Sequence, residues 1–355
     1  MRRIALDKTI YLGSNHSPIT AFLVMPRFAA GSRQKEANLP NDANFSSGQN
    51  GLIAVDKIAN KILFLDPSTY DTVQTLWGFA PRVHELTVSR DHKTAYVPIY
   101  GDGKHGDNPN TGHLIAVIDL VGRRHVGDIS TAPYFAPHGL RWGARGQLYC
   151  LCENSGVVLE LDVETWDIRH VIEVGSNKAH RMEVLPDGTK LYTENEEDSF
   201  ASVIDLEARK RVGKIAAPGG FAGIGLSPDG SVVVLVSATE PRIHVVDTAT
   251  DTVTRTLELS GHADAAQIAR YSPDGRYLVV TSYEEPLATI LDAALSTQRT
   301  VRIGKGPMNM AFHADGRTAL IANQDEGTIC VVDLASAEVL RTVPAGQGIE
   351  TLSFF

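Results

Sequence analysis

Apolar stretches of strand length alternate with polar turns along most of this chain. After the turn 228–230 (PDG), for example, residues 231–236 (SVVVLV), 242–247 (RIHVVD) and 252–257 (TVTRTL) each have the length and β-branched composition of a β-strand. An apolar strand before the turn completes the unit. Four short strands in every 40–45 residues or so are typical of a β-propeller blade.

Two sequence markers repeat along the chain at this period. The first is a turn of the type Pro-Asp-Gly, found with variations at residues 90–92, 144–146, 186–188, 228–230, 273–275 and 314–316. The second is a strand that ends in aspartate, at Asp66, Asp119, Asp162, Asp205, Asp247, Asp292 and Asp333. Seven such strands predict seven blades, and the widest spacing contains an insertion at residues 101–112 that is rich in Gly, Asp and Asn.

The first unit lacks one strand, and the other end of the chain supplies it. Residues 51–78 contain only three strand patterns, whereas residues 348–354 (GIETLSF) match the inner strand at residues 306–312 (GPMNMAF). We therefore predict an all-β, seven-bladed β-propeller over residues 51–355, a single domain whose first blade is closed by the C-terminal strand. Residues 1–50 lie outside the repeat and are expected to form an N-terminal extension or cap.

The repeat units resemble the YVTN-type propeller repeats of bacterial proteins. The resemblance rests on residues 226–230 (LSPDG), 322–323 (AN) and 331–333 (VVD), and it extends over residues 51–355. It implies a seven-bladed fold. It does not imply one activity, because such propellers include binding proteins of unknown role, lactonases, lyases and scaffolds.

Charge and composition narrow the range of partners. The chain has 355 residues, with 33 Lys and Arg against 42 Asp and Glu, a formal net charge of −9. This balance argues against nucleic acid and anionic lipid as partners, and the chain has no apolar run of the 18 or more residues that a membrane helix needs. Residues 1–8 lack the apolar stretch of a signal peptide, so we expect a cytoplasmic protein that is a monomer or a weak oligomer.

The last residue of each turn, usually glycine, is a fixed reference point from which equivalent positions on the inner strands can be counted. The inner strands face the central channel of a propeller. The residues eight positions before this turn residue, with the matched position of the C-terminal strand, are His84, His138, His180, Ala222, Gln267, Met308 and Glu350. Four consecutive blades thus carry three imidazoles and a carboxylate at one height. This donor set predicts a divalent metal site (Fe, Mn, Ni or Zn) with His84, His138, His180 and Glu350 as ligands.

A plainer interpretation is that these residues hold only water, because propeller channels are wet and a one-residue slip would turn a side chain to the other face. If the site is real, the other half of the ring leaves room for a small substrate. The expected pocket residues are Ala222, Gln267, Met308, Tyr134, Phe221, Arg141 and Arg270. The two arginines suit an anionic substrate, although salt bridges between blades explain them as well.

Two residues beside the histidines are candidates for catalytic roles. Arg181 follows His180, and Glu85 follows His84, where it would act as a base or orient a ligand histidine. His105, in the insertion, is a candidate lid residue or fifth ligand. The three cysteines, Cys150, Cys152 and Cys330, do not form a disulfide framework, since they are odd in number and two share one predicted strand.

Three functions remain open at this point. The first is a metal-dependent lyase or hydrolase acting on a small organic molecule, similar in architecture to streptogramin lyase. The second is a non-haem Fe(II) oxygenase, which resembles the histidine-ligated propeller dioxygenases that cleave carotenoids and stilbenes. The third is a non-catalytic propeller that presents loops to a protein partner.

Overall fold

The computed structural model describes residues 50–104, 107–196 and 198–355 of the chain. The predicted N-terminal extension therefore lies outside the described residues, apart from Asn50. The described part contains seven antiparallel sheets of four strands each, arranged as a seven-bladed β-propeller. The only helix among the described residues is one 3₁₀ turn, Glu153–Ser155. The predicted fold class and blade number are confirmed.

The strands follow the chain from the channel outwards in each blade. In the first four blades they are β28 (Ile349–Phe354), β1 (Leu52–Asp56), β2 (Lys61–Leu65) and β3 (Thr72–Leu76); β4 (Thr87–Val88), β5 (Thr94–Lys104), β6 (Asp107–Asp119) and β7 (Arg124–Ser130); β8 (Pro137–Trp142), β9 (Leu148–Cys152), β10 (Val157–Leu161) and β11 (Ile168–Glu173); and β12 (Arg181–Val184), β13 (Lys190–Glu194), β14 (Phe200–Asp205) and β15 (Lys210–Ala216).

The remaining three blades repeat the same order. They consist of β16 (Phe221–Leu226), β17 (Val232–Ser237), β18 (Arg242–Asp247) and β19 (Thr252–Glu258); β20 (Ile268–Tyr271), β21 (Tyr277–Thr281), β22 (Leu287–Asp292) and β23 (Gln298–Arg302); and β24 (Pro307–Phe312), β25 (Thr318–Asn323), β26 (Thr328–Asp333) and β27 (Glu338–Pro344). The second and third strands of a blade are mostly buried, whereas the outermost strands are mostly exposed.

The first blade is closed as the sequence predicts. Strand β28 pairs antiparallel with β1, with Leu52 opposite Phe354. The two chain segments are fixed further by a backbone hydrogen bond from the Phe355 N–H to the Gly51 carbonyl, 3.0 Å. This pairing removes the edge that β1 would otherwise present, and it places Glu350 beside the second blade.

The turns from which the inner-strand positions were counted share one backbone conformation. Their last residue has a positive φ in every case, from 64° to 85° at the five glycines (Gly146, Gly188, Gly230, Gly275 and Gly316) and 57° at His92. Glycine reaches this left-handed region without the steric cost that a Cβ atom imposes. Because the turns are equivalent, counting back from them gives equivalent positions on the inner strands.

The insertion at residues 101–112 is not a simple polar loop. Strands β5 and β6 extend through most of it as a long hairpin, with Gly101 opposite Thr111 and Asp102 opposite Asn110. Its tip, including His105, lies outside the described residues.

The hydrophobic core is divided into seven parts, one between each pair of neighbouring blades. The part between the first and second blades, for example, brings Phe64 and Ile53 together with Val97 and Ile118. The inner strands line most of the channel, and their polar side chains lie outside these apolar layers. No helix in the described residues is long and apolar enough to cross a membrane.

Candidate metal centre

Three histidines from consecutive blades meet in the central channel. His138 lies on β8, while His84 and His180 precede β4 and β12, where their backbone N–H groups donate to the carbonyls of Pro98 and Glu194. All three are buried, with 6% or less of each residue exposed. One potential ligand nitrogen from each histidine lies within 4.8 Å of those of the other two.

The spacing of these rings fits the binding of a single ion. Nε2 of His138 lies 2.9 Å from Nε2 of His84, and the ring centroids of His138 and His180 are 3.6 Å apart. Nitrogens that each bind one Zn²⁺ ion at about 2.0–2.1 Å lie roughly 3 Å from one another. The arrangement therefore suits an ion that imidazoles bind, such as Zn, Fe, Ni or Cu.

A carboxylate lies behind each imidazole, on its Nδ1 side. Glu350 forms a hydrogen bond with Nδ1 of His84, and Oε2 of Glu153 lies 2.8 Å from Nδ1 of His180. Nδ1 of His138 is 3.8 Å from Oε1 of Glu85 and is buried without a hydrogen-bond partner in the described residues. Carboxylates in this position fix the orientation of ligand histidines, and Nε2 is then the nitrogen that would bind an ion.

The environment keeps the imidazoles neutral. Burial lowers the pKa of His84, and burial together with the neighbouring His180 and His84 lowers the pKa of His138 well below its ordinary value. Burial also lowers the pKa of His180 to about 3. Neutral imidazole is the form that binds a metal, so the three rings are in the required state at neutral pH.

Glu350 is placed on the far side of His84 from the other histidines. It also accepts a hydrogen bond from Nζ of Lys57 at 3.0 Å. Although burial alone would raise the pKa of Glu350, His84 and Lys57 lower it below the ordinary range. The structure thus brings the predicted fourth ligand to the site as a partner of His84.

A cavity of about 150 Å³ lies at the mouth of this cluster. It is lined by His84, His180 and Glu350, by Gln267 and Met308 from the opposite half of the ring, and by Lys57, Arg82, Tyr100, Arg181 and Glu196. Two predicted pocket residues are therefore in place. The others are located elsewhere: Phe221 packs in the core between the fourth and fifth blades, Tyr134 packs against the core between the second and third, and Ala222 contributes its carbonyl group.

Arg181 and Glu85, the predicted catalytic pair, contact each other. Nε of Arg181 lies 3.3 Å from Oε1 of Glu85, and Nη1 donates to the Ala222 carbonyl at 2.9 Å. Burial would lower the pKa of Arg181, but Glu85 and Glu194 raise it. Burial and the nearby Glu196 raise the pKa of Glu194 well above its ordinary value. Arg181 borders the mouth cavity and Glu85 borders a second one.

Arg141 and Arg270 lie in that second cavity, three residues further along their inner strands than His138 and Gln267. Both contact Glu183: Nε and Nη2 of Arg141 bind its two carboxylate oxygens at 2.9 and 2.8 Å, and Nη1 of Arg270 lies 3.1 Å from Oε1. These ion pairs connect the third, fourth and sixth blades.

Sequence reasoning missed several residues of the site. Lys57, Glu153 and Glu196 all lie in connections between the second and third strands of a blade. These connections reach the same end of the channel as the starts of the inner strands. A charged residue that follows the second strand was thus the signal that could have revealed them.

Of the comparisons with known proteins, the one with solved structures supports the fold. No family model matches the chain, and no curated protein sequence matches it. Two similar solved structures are the hydrazine synthase of Kuenenia stuttgartiensis, with a TM-score of 0.64 and 17% identity over 80% of this chain and 92% of that chain, and dihydro-heme d1 dehydrogenase NirN in complex with DHE, with a TM-score of 0.64 and 16% identity over 88% of this chain and 77% of that chain. At these identities the likeness shows the fold alone.

Proposed function

We propose that this chain is a metal-dependent enzyme in which His84, His138 and His180 hold one divalent ion at the mouth of the propeller channel. The observation that carries the proposal is the convergence of three buried, neutral imidazoles, each with a carboxylate on its Nδ1 side. Channel residues that only hold water do not need such support. We propose Glu350, Glu153 and Glu85 as the residues that orient the ligands.

The proposed reaction is an elimination or a hydrolysis of a small organic molecule. When bound, the ion supplies Lewis-acid polarisation of a carbonyl or carboxylate oxygen. Lys57 and Arg181, which line the mouth cavity, hold an anionic group of the substrate and orient it. The cavity is small, and its three cationic side chains, which include Arg82, outnumber its two carboxylates, Glu196 and Glu350. This balance favours a small anion over a neutral or bulky substrate.

A second candidate is a non-haem Fe(II) oxygenase at the same site. It is favoured by one observation: the group of converging ligand atoms consists of imidazole nitrogens, with the carboxylates behind them. Imidazole suits Fe, Ni and Zn, whereas Mn is better served by carboxylate oxygens. The identity of the ion therefore separates the oxygenase from the lyase or hydrolase.

We further propose that the repeats are of the YVTN type, that residues 51–355 form one domain preceded by an extension, and that the protein acts in the cytoplasm as a monomer or weak oligomer. All three cysteines are free thiols, which a reducing compartment preserves.

The direct test is elemental analysis of protein purified without an affinity tag or added metal. We expect about one equivalent of Zn, Fe or Ni in the wild type and under a tenth of that in His138→Ala. The matched control is His244→Ala, because His244 lies on the outer strand β18 and contacts Thr256 rather than the cluster. That variant should retain the full equivalent.

Two outcomes would overturn the proposal. The first is the absence of metal from the wild type even after reconstitution, which would leave a non-catalytic propeller whose protein partner must be sought by pull-down. The second is a metal content that His138→Ala leaves unchanged, which would place the ion elsewhere. Circular dichroism shows whether His138→Ala is folded. If it is unfolded, the metal analysis is repeated on His138→Gln, so that loss of the ligand is distinguished from loss of the fold.

A further inference from the structure

The central channel contains a second cavity, of about 300 Å³, which lies further along the inner strands than the histidine cluster and is more open than the cavity at the mouth. Arg141, Glu183 and Arg270 line it on one side, and Asn309 and Thr351 line it on the other. The ion pair between Glu85 and Arg181 lies between the two cavities, because Glu85 borders the second one and Arg181 the mouth. None of the groups in the second cavity has a role in the proposed metal site except Glu85.

The two arginines of this cavity differ in how their guanidinium groups are used. Arg141 presents its Nε and Nη2 edge to Glu183, and its Nη1 donates to the Leu140 carbonyl. All three of its nitrogens are therefore bonded. Arg270 uses only Nη1, which contacts Glu183 and the carbonyls of Ile224 and Ala269. Within the described residues, Nε and Nη2 of Arg270 have no hydrogen-bond partner.

That Nε and Nη2 edge is the part of arginine that binds two oxygens of one carboxylate side by side. In Arg141 it holds the carboxylate of Glu183 in this way. We propose that Arg270 binds the carboxylate of a small external molecule in the same geometry, so that the second cavity is a further ligand site, distinct from the metal centre.

The charges around the cavity support an anion. Arg141 and Arg270 share one carboxylate, that of Glu183, and the Glu85–Arg181 pair is neutral as a unit. The three guanidinium groups therefore have two carboxylates, Glu183 and Glu85, between them. Glu194 also contacts Arg181, but the pKa of its carboxyl group is raised well above the ordinary value. Burial and the neighbouring Arg141 lower the pKa of Arg270 to about 10, because both disfavour its charged form. A bound carboxylate relieves this penalty.

Neutral polar groups complete the site. The hydroxyl of Thr351 is buried, with 6% of the residue exposed, and has no hydrogen-bond partner in the described part of the chain. Oδ1 of Asn309 accepts from the Met310 N–H, which leaves its amide nitrogen to serve as a donor. A volume of about 300 Å³ is at the lower end of the range for ligand pockets, so the ligand is a small organic acid.

The test is isothermal titration calorimetry with sodium acetate and with sodium succinate, at constant ionic strength, using the full chain. We expect a saturable site for at least one of them that is weakened at least tenfold in Arg270→Gln, whether or not the mouth cavity binds a second molecule. Arg270→Lys keeps the charge but loses the planar pair of donors, so it should bind at least threefold more weakly than the wild type. Inorganic phosphate, titrated in parallel, distinguishes a carboxylate site from a general oxyanion site.

Two control variants locate the effect. Arg242→Gln also removes one positive charge, but from an outer strand where Arg242 pairs with Glu240 and Glu258, and it should bind like the wild type. His84→Ala should also retain binding at Arg270. A carboxylate held by a metal at the histidines would instead be lost in that variant. This control separates failure of the present proposal from failure of the metal centre.

Arg270→Gln is expected to fold, since Glu183 keeps its two bonds to Arg141. If it does not fold, Arg270→Lys alone carries the test. The proposal is overturned if neither acetate nor succinate binds saturably, if binding survives unchanged in both Arg270 variants, or if phosphate binds and the carboxylates do not.

Discussion

Nζ of Lys57 lies 3.2 Å from Nε2 of His84 and 3.0 Å from Oε1 of Glu350. A neutral imidazole has one lone pair on its unprotonated nitrogen, so Nε2 of His84 either accepts a hydrogen bond from the ammonium group or binds a metal ion. Lys57 and the proposed ion are therefore alternatives at this nitrogen. Binding of the ion would require the ammonium group to leave this nitrogen, and the mouth cavity, which Lys57 also lines, offers space for it.

Replacing Lys57 with methionine should raise the affinity for metal roughly tenfold, because the substitution removes a positive charge next to a ligand nitrogen. The measurement is a Zn²⁺ titration against a chromogenic chelator. Lys61→Met is the matched control: Lys61 is on the same blade, where its Nζ lies 4.2 Å from the centre of the Trp77 ring, and its loss should leave the affinity unchanged. An unchanged or lower affinity in Lys57→Met would contradict competition at His84.

Glu350→Gln and Glu153→Gln should each weaken metal binding about 10- to 100-fold, as is usual when a carboxylate behind a ligand histidine is lost. Each substitution keeps the size of the side chain but removes the charge that orients His84 or His180. Competition titration again gives the affinity. The control is Glu160→Gln, which removes a carboxylate on β10 that pairs with Arg209. It should bind metal like the wild type. Equal affinities in all three variants would show that the carboxylates do not support the ligands.

Glu183→Gln should destabilise the fold at neutral pH by about 2 kcal/mol, because two partly buried guanidinium groups lose their shared carboxylate. It should also change the pH dependence of stability. Burial would raise the pKa of Glu183, but Arg141 lowers it below the ordinary value. A carboxyl group with a lowered pKa contributes its full stability above about pH 4.3 and loses it as the pH falls through the folded-state pKa.

The wild type should therefore lose more unfolding free energy between pH 5 and pH 3 than Glu183→Gln does, as measured by urea denaturation. Parallel curves for the two proteins in this range would exclude Glu183 as a source of acid sensitivity.

His92→Gly should raise the free energy of unfolding by up to about 1 kcal/mol, since His92 adopts the left-handed conformation that glycine occupies in the equivalent turns. Gly146→Ala should lower it by about 1 kcal/mol. No atom lies within 4 Å of the Cβ that this alanine would add, so the effect comes from the backbone alone. Urea denaturation of both variants measures the difference, and changes of the same sign would refute the explanation.

The sequence was sufficient to predict the seven blades and the positions of the three histidines. The reason is physical: the turn residue with positive φ is fixed relative to the hairpin, so equal distances from it correspond to equal heights in the channel. His84, His138 and His180 come together although they belong to three separate blades. The closure by β28 could be predicted because residues 348–354 repeat an inner-strand pattern.

The contacts of Glu350 and the position of Glu153 behind His180 could not be predicted in the same way. Glu350 accepts a hydrogen bond from Lys57. Lys57 lies in the connection between β1 and β2, where counting back from the turns identifies no position. Likewise, Arg141 and Arg270 are equivalent in the repeat, but only the packing of the blades decides that Glu183 occupies the edge of Arg141 and not that of Arg270.

His84 and Glu350 are 266 residues apart in the sequence. During synthesis on a ribosome, His84 emerges early and remains without its carboxylate until all seven blades have been translated. The strand that brings Glu350 is also the strand that covers the open edge of the first blade. A chain whose synthesis stops before Glu350 thus has an exposed edge on β1 and lacks the carboxylate that contacts His84, so it is more prone to aggregate than the closed propeller.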